Sequence, residues 1–194
     1  MINIDYGKLN KIYLMETFIS QFLFSLSFQY IYIKTVADIN PKIFPIVSIL
    51  SCLFSIIFAN INLKSDLLFK NYTKFCFCEI AFYIATAIYC IVNKNYILFQ
   101  ILNLFSCCII NQAIRVCGSK IKEKIYNTSK SRNEYDNKNR IYSDAAIIMS
   151  AIIAFFIIDF INLQTLVLIG TLGVVFEDMV LIYIYKKLKN GSDL

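Results

Sequence analysis

Two carboxylates stand side by side in an otherwise apolar stretch: Glu177 and Asp178 in TLVLIGTLGVVFEDMVLIYIYKK, residues 165–187. Away from water, each carboxylate is costly to ionise and the two repel each other. The pair therefore calls for a shared proton or a bound cation. Arg115 is the arginine placed inside another apolar stretch and is the natural counter-charge. Glu16 and Glu79 sit about one helical turn inside two further stretches, near enough to an end to reach headgroups. These five residues, Glu16, Glu79, Arg115, Glu177 and Asp178, form the candidate ion, proton or charge network.

Other chemistries lack their residues. The chain has 0 histidines, which removes the commonest proton shuttle and metal ligand. Its 7 cysteines all lie in or beside apolar stretches, where a thiol behaves as a small hydrophobe. Cys76-Phe-Cys78 does not have a zinc spacing. No metal, cofactor or catalytic residue is expected. Membrane peptidase and rhomboid chemistries need a histidine, and phosphatidyl-alcohol transfer needs a run of aspartates with glycine that is absent. Nucleic acid is not an expected partner.

A second set of residues is organised by helical phase. Gln100, Asn103, Cys107 and Asn111 fall within an arc of about 80° on a helix turning 100° per residue. Gln21, Ser25 and Gln29 recur every fourth residue and form another stripe. Amides facing lipid are costly, so both stripes face protein or a water-filled cavity. As interhelical glue, each amide contributes about 0.6 kcal/mol. Stripes running most of a helix length favour a substrate cavity instead.

The elements that position these residues are membrane spans. Of 194 residues, 58% are hydrophobic, above the roughly 45–50% of soluble domains. The apolar residues come in blocks near 20 long, the length that crosses ~30 Å of hydrocarbon as a helix. Six spans are predicted in an all-α bundle: 12–33, 43–62, 75–93, 96–117, 143–160 and 163–185. Residues 118–142 are read as a long charged loop. The first block is too long for a cleaved signal peptide and lacks a small-residue cleavage site. Of the 19 lysines and arginines, 15 fall on one side of this arrangement and 3 on the other, with Arg115 inside a span. The positive-inside rule then puts both termini and the long loop in the cytoplasm. Abundant Asn, Ile, Lys and Tyr fit an AT-rich bacterial genome, so the expected location is a bacterial cytoplasmic membrane, with the lipid bilayer as the first partner.

The loop NLKSDLLFKNYTK, residues 62–74, resembles the cytoplasmic signature Gly-x-x-x-Asp-Arg/Lys-x-Gly-Arg-Lys of the major facilitator superfamily. Asp66 and Lys70 match its acidic and basic positions, while Asn62, Leu67 and Phe69 depart from it. The stretch SRNEYDNKNRIYSDAAIIMSAIIAFF, residues 131–156, is similar to that family's link from helix four to helix five. The resemblance implies the N-terminal six-helix half of a transporter. It implies helices one and four around a central cavity, and Asp66 with Lys70 in a cytoplasmic gate. Such transporters have twelve helices, so a six-helix chain implies a homodimer or a membrane partner, and an unidentified small solute as substrate. Two other readings stay open. One is a six-helix substrate-binding subunit of an energy-coupling-factor vitamin transporter, although the first helix lacks its small-residue motif. The other is a non-transporting bacteriocin-immunity or assembly factor.

Overall fold

The computed structural model describes residues 6–36, 49, 52–53, 56, 71–103, 106, 114, 129–157 and 159–191. Among these residues the fold is all-helical. We number the helices α1 (Tyr6–Val36), α2 (Tyr72–Val92), α3 (96–103), α4 (Ser129–Ile157) and α5 (Leu163–Gly191). Ser106 and Ile114 are helical beyond α3. Of the predicted 43–62 span only Ile49, Cys52, Leu53 and Ile56 are described, and all four are helical.

Among the described residues, three stretches are long and apolar enough to cross a membrane: Tyr72–Val92, Asn133–Ile157 and Leu163–Lys189. They mark the chain as a membrane protein. The 31 residues of α1 amount to roughly 46 Å at 1.5 Å per residue, which is ample length. Its composition is more polar, with Glu16, Gln21, Gln29 and several serines. The position of α1 fits that polarity, because it packs against α4, α5 and α3 and buries Glu16, Ser20, Ser25 and Ser27 among them. Half of the apolar stretch of α5 is buried, against 17% of that in α4, so α5 is central and α4 peripheral. The peripheral helix turns large apolar side chains outward, Phe155 and Phe156 among them.

Asparagine chemistry ends and starts the helices at one end of the bundle. The α2–α3 turn is Asn93-Lys94-Asn95. Asn93 Nδ2 donates back to Tyr89 O at 2.9 Å, and Lys94 takes a left-handed φ of 51°. Asn95 Oδ1 then accepts the Leu98 N–H at 3.1 Å, capping α3. Asn162 caps α5 in the same way, accepting the Thr165 N–H at 2.8 Å.

Contacts along the helix pairs give their directions. Tyr13 meets Tyr135, Phe18 meets Tyr142, and Tyr30 reaches Ala151, so α1 and α4 run parallel. Ser27 meets Leu166, and Gly173 lies against Ser20 and Leu23, so α5 runs antiparallel to α1. Tyr72 packs on Tyr185 while Cys76 meets Asp178, so α2 is antiparallel to α5 and parallel to α1.

The long charged loop predicted over 118–142 is corrected from residue 129 onward. Residues 129–142 are the first half of α4, and residues 118–128 lie outside the described ones. The reason is tertiary. This segment is polar nearly all round, which reads as loop, but the start of α1 extends beside it. Tyr135 is buried edge-on against Tyr13, with ring centroids 5.7 Å apart.

Candidate functional site

Among the described residues the core falls into two apolar layers. The first gathers Leu9 of α1, Tyr72 and Cys76 of α2, Ile114, and Leu181, Tyr185 and Leu188 of α5. The second gathers Phe28 and Ile31 of α1, Tyr83 and Cys90 of α2, Phe99 of α3, and Leu166, Val167 and Val174 of α5. Between these groups each of α1, α2 and α5 carries its acidic residues: Glu16 on α1, Glu79 on α2, and Glu177 with Asp178 on α5. Helix direction brings them level, because α1 and α2 enter the layer from one end of the bundle and α5 from the other.

This layer is dry. Glu16 is 4% exposed, Glu79 3% and Asp178 2%, while Glu177 is half-buried. Adjacent helical residues point about 100° apart, so Asp178 turns into the bundle and Glu177 to its side. Two carboxylates have hydroxyl partners. Ser20 Oγ donates to Glu16 Oε1 at 3.0 Å, and Ser106 Oγ donates to Glu79 Oε1 at 3.3 Å. Cys76 is buried on the neighbouring face of α2, close to Asp178. Asp178 Oδ2 is buried and has no hydrogen-bond partner. Asp178 also lies in the field of three other carboxylates, Glu79 most strongly, then Glu177 and Glu16.

A buried oxygen with no partner forfeits about 1–3 kcal/mol, more when charged. Selection tolerates such a group where a ligand completes it. Among the described residues no three His, Cys, Asp or Glu side chains converge tightly enough to hold a metal ion. A proton needs only one oxygen, and Asp178 Oδ2 offers one.

The polar stripes occupy the neighbouring level. Gln100 is buried, and its Nε2 donates to the Phe28 carbonyl of α1 at 2.9 Å. Asn103 is buried too, and its Oδ1 accepts from Tyr83 Oη of α2. Gln21 Nε2 donates to Ser25 Oγ within α1 at 3.3 Å, with Ser25 buried. Gln29 is a helical position of α1 whose side chain falls outside the described ones. Cys107, Asn111, Arg115, Asp66 and Lys70 all lie outside the described residues. The structure thus brings Glu16, Glu79, Glu177 and Asp178 to one level, and ties Gln100 and Asn103 to the helices on either side of α3.

The hydroxyls that dress the carboxylates, Thr17, Ser20 and Ser106, were not singled out from the sequence. One signal was available, since Ser20 stands four residues after Glu16 and so shares its face. Asn139 was missed because its segment reads as loop. No protein family, curated protein or solved structure matches this chain.

Proposed function

We propose that this chain is a proton-coupled membrane carrier of a small solute, with the buried carboxylate layer as its coupling site. The observation that carries the reading is Asp178: 2% exposed, one oxygen bare, and facing the fields of three other carboxylates. Even mild insertion scales put a charge at a helix centre at about 2.5–3.5 kcal/mol. A sequence that needed only packing would place leucine there. A carrier needs a group that takes up and releases a proton inside the membrane.

The six-span arrangement is part of the same proposal and draws support from the helix directions. Since α1 and α2 run parallel, this reading assigns the return crossing to the predicted 43–62 span, whose four described residues are helical. Since α4 runs parallel to α1 and α5 antiparallel, six alternating crossings account for every observed direction. Both termini are then cytoplasmic by the charge distribution, in a bacterial cytoplasmic membrane. A major-facilitator-like half-transporter is the family reading, acting with a second copy or a membrane partner to enclose the solute. Of the polar stripes, Gln21, Ser25, Gln29, Cys107 and Asn111 are the proposed solute-facing set, with Gln100 and Asn103 holding α3 to its neighbours beside them, and Asp66 with Lys70 the proposed gate.

Proteoliposomes containing the dye pyranine, driven by an imposed pH gradient and exposed to a panel of amino acids, sugars and organic cations, test this. The wild-type protein should move protons with at least one solute class. Asp178→Asn and Glu79→Gln keep size and should insert normally, yet lose about tenfold or more of gradient-driven uptake. Full pH-dependent uptake by the double variant overturns the coupling role. Co-purification with an ATPase or with a toxin receptor would favour the vitamin-transporter or immunity reading instead.

A further inference from the structure

The first half of α4 reaches the carboxylate layer through a short chain of hydrogen bonds. Asn139 Oδ1 accepts from Tyr135 Oη at 3.2 Å and from Thr17 Oγ1 at 2.7 Å. Thr17 Oγ1 lies 3.5 Å from Glu16 Oε2, and Glu16 Oε1 accepts from Ser20. A threonine hydroxyl carries one proton, and here it has three acceptors. They are Asn139 Oδ1, Glu16 Oε2 and, at 3.1 Å, the Tyr13 carbonyl one turn back. It can therefore point toward the hydrated side or toward the buried acid.

The hydrated side is marked on α4 itself. Asp136, Asn137, Lys138 and Arg140 are exposed, and Arg140 pairs loosely with Asp144 at 3.9 Å, both largely in solvent. Asn139, half-buried among them, is where water and the protein interior meet. Glu16 is buried one step behind. Among the described residues, the titratable groups set toward Glu16 from the packed helices include Tyr135 on α4, through Asn139 and Thr17, and Asp178 on α5, whose own surroundings include Glu79 and Glu177. Asp178, whose Oδ2 is bare, lies within the field of Glu16.

We infer that Thr17 and Asn139 form the proton access route to the carboxylate layer from the α4 side of the membrane. This rests on the layer exchanging protons, and it assigns the residues that let them in. The step balances simply. A hydronium ion at Asn139 gives a proton to Thr17 Oγ1 as the proton already on Thr17 passes to Glu16 Oε2. One O–H bond forms on Glu16, one breaks on hydronium, water is left behind, and Thr17 ends neutral. Rotation of its hydroxyl back toward Asn139 resets the route. Asn139 does not carry the proton; it is a positioning residue that holds Thr17 in line, as Tyr135 holds Asn139.

Reconstituted protein films, followed by infrared spectroscopy through a rapid pH drop, read the protonation of buried carboxyls directly, without any solute. Wild-type protein should gain a carboxylic-acid carbonyl band that Asp178→Asn and Glu16→Gln diminish. Thr17→Val, which keeps shape and removes the hydroxyl, should reach the same final amplitude about tenfold or more slowly. Asn139→Leu should slow it in the same direction, and Thr17→Ser should restore the wild-type rate. Wild-type rates in both Thr17→Val and Asn139→Leu overturn the route. So does slowing in Thr17→Val that Thr17→Ser fails to rescue, since that is packing damage. Absence of the band in wild-type protein overturns the proton reading and the route with it. Normal protonation kinetics with no solute-driven uptake sinks the carrier reading alone and leaves the route standing.

Discussion

At the scale of residues, two kinds of buried polar group must be told apart. Gln100 and Asn103 are satisfied: one donates to the Phe28 carbonyl, the other accepts from Tyr83. Such bonds hold helices together and need no function to justify them. Inside a membrane bundle they contribute modestly, so a Tyr83→Phe and Asn103→Ala double-mutant cycle should give a coupling of about 0.6 kcal/mol and no more than about 1.7. Unfolding in mixed micelles measures it. A coupling of several kcal/mol would mean that the pair belongs to a larger network. Asp178 is the other kind, because its Oδ2 gains nothing from the fold. Glu79 stands between the two, buried like Asp178 but supplied with a donor by Ser106.

At the scale of elements, α1 and α5 approach each other closely at two glycines. A Cβ added at Gly170 would lie 2.3 Å from Ser27 Oγ and 2.9 Å from Ser27 Cβ. A Cβ at Gly173 would meet Leu23 Cβ at 3.0 Å, which a small shift relieves. Ser27 is held in place by its own bond to the Leu166 carbonyl at 2.6 Å, so it cannot swing away freely. Gly170→Ala should therefore cost about 1–3 kcal/mol of bundle stability, the usual range for overpacking, and Gly173→Ala clearly less. Adding Ser27→Gly to Gly170→Ala removes both clashing atoms and should recover part of the loss. Thermal unfolding in detergent ranks the three. Equal tolerance of alanine at both glycines would show that α1 and α5 are looser than described. Because this interface sets the level of Glu16 against Asp178, loosening it should also disturb the carboxylate layer.

At the scale of the whole molecule, the alternating helix directions and the uneven distribution of positive charge make one prediction about orientation. In a cysteine-free background, Lys94→Cys lies in the turn between α2 and α3, and Lys130→Cys near the start of α4. A membrane-impermeant maleimide should label position 94 in intact cells and position 130 only after permeabilisation. Labelling of position 130 in intact cells would falsify the cytoplasmic assignment of that face, and the route through Thr17 and Asn139 would then open outward.

Much of this was legible in the linear order of residues. Apolar blocks near 20 residues long declare their solvent, because backbone polar groups in lipid must be satisfied within helices. The starts of α2 and α5, the acidic pair at 177–178 and the glycine face at 170–173 are local features, visible from spacing alone. Level is a different matter. Glu16 and Glu79 each lie about a turn inside their spans, and either is easily assigned to headgroups when taken one helix at a time. Only the packing of α1, α2 and α5 between two apolar layers places them beside Asp178, since depth depends on how far each helix slides along its neighbours. The first half of α4 makes the same point. Its residues are polar on every side, and nothing in their period announces a helix. It is helical because α1 extends beside it and offers Tyr13 and Thr17 as partners to Tyr135 and Asn139, and contacts across more than 120 residues of chain leave no trace in a local pattern.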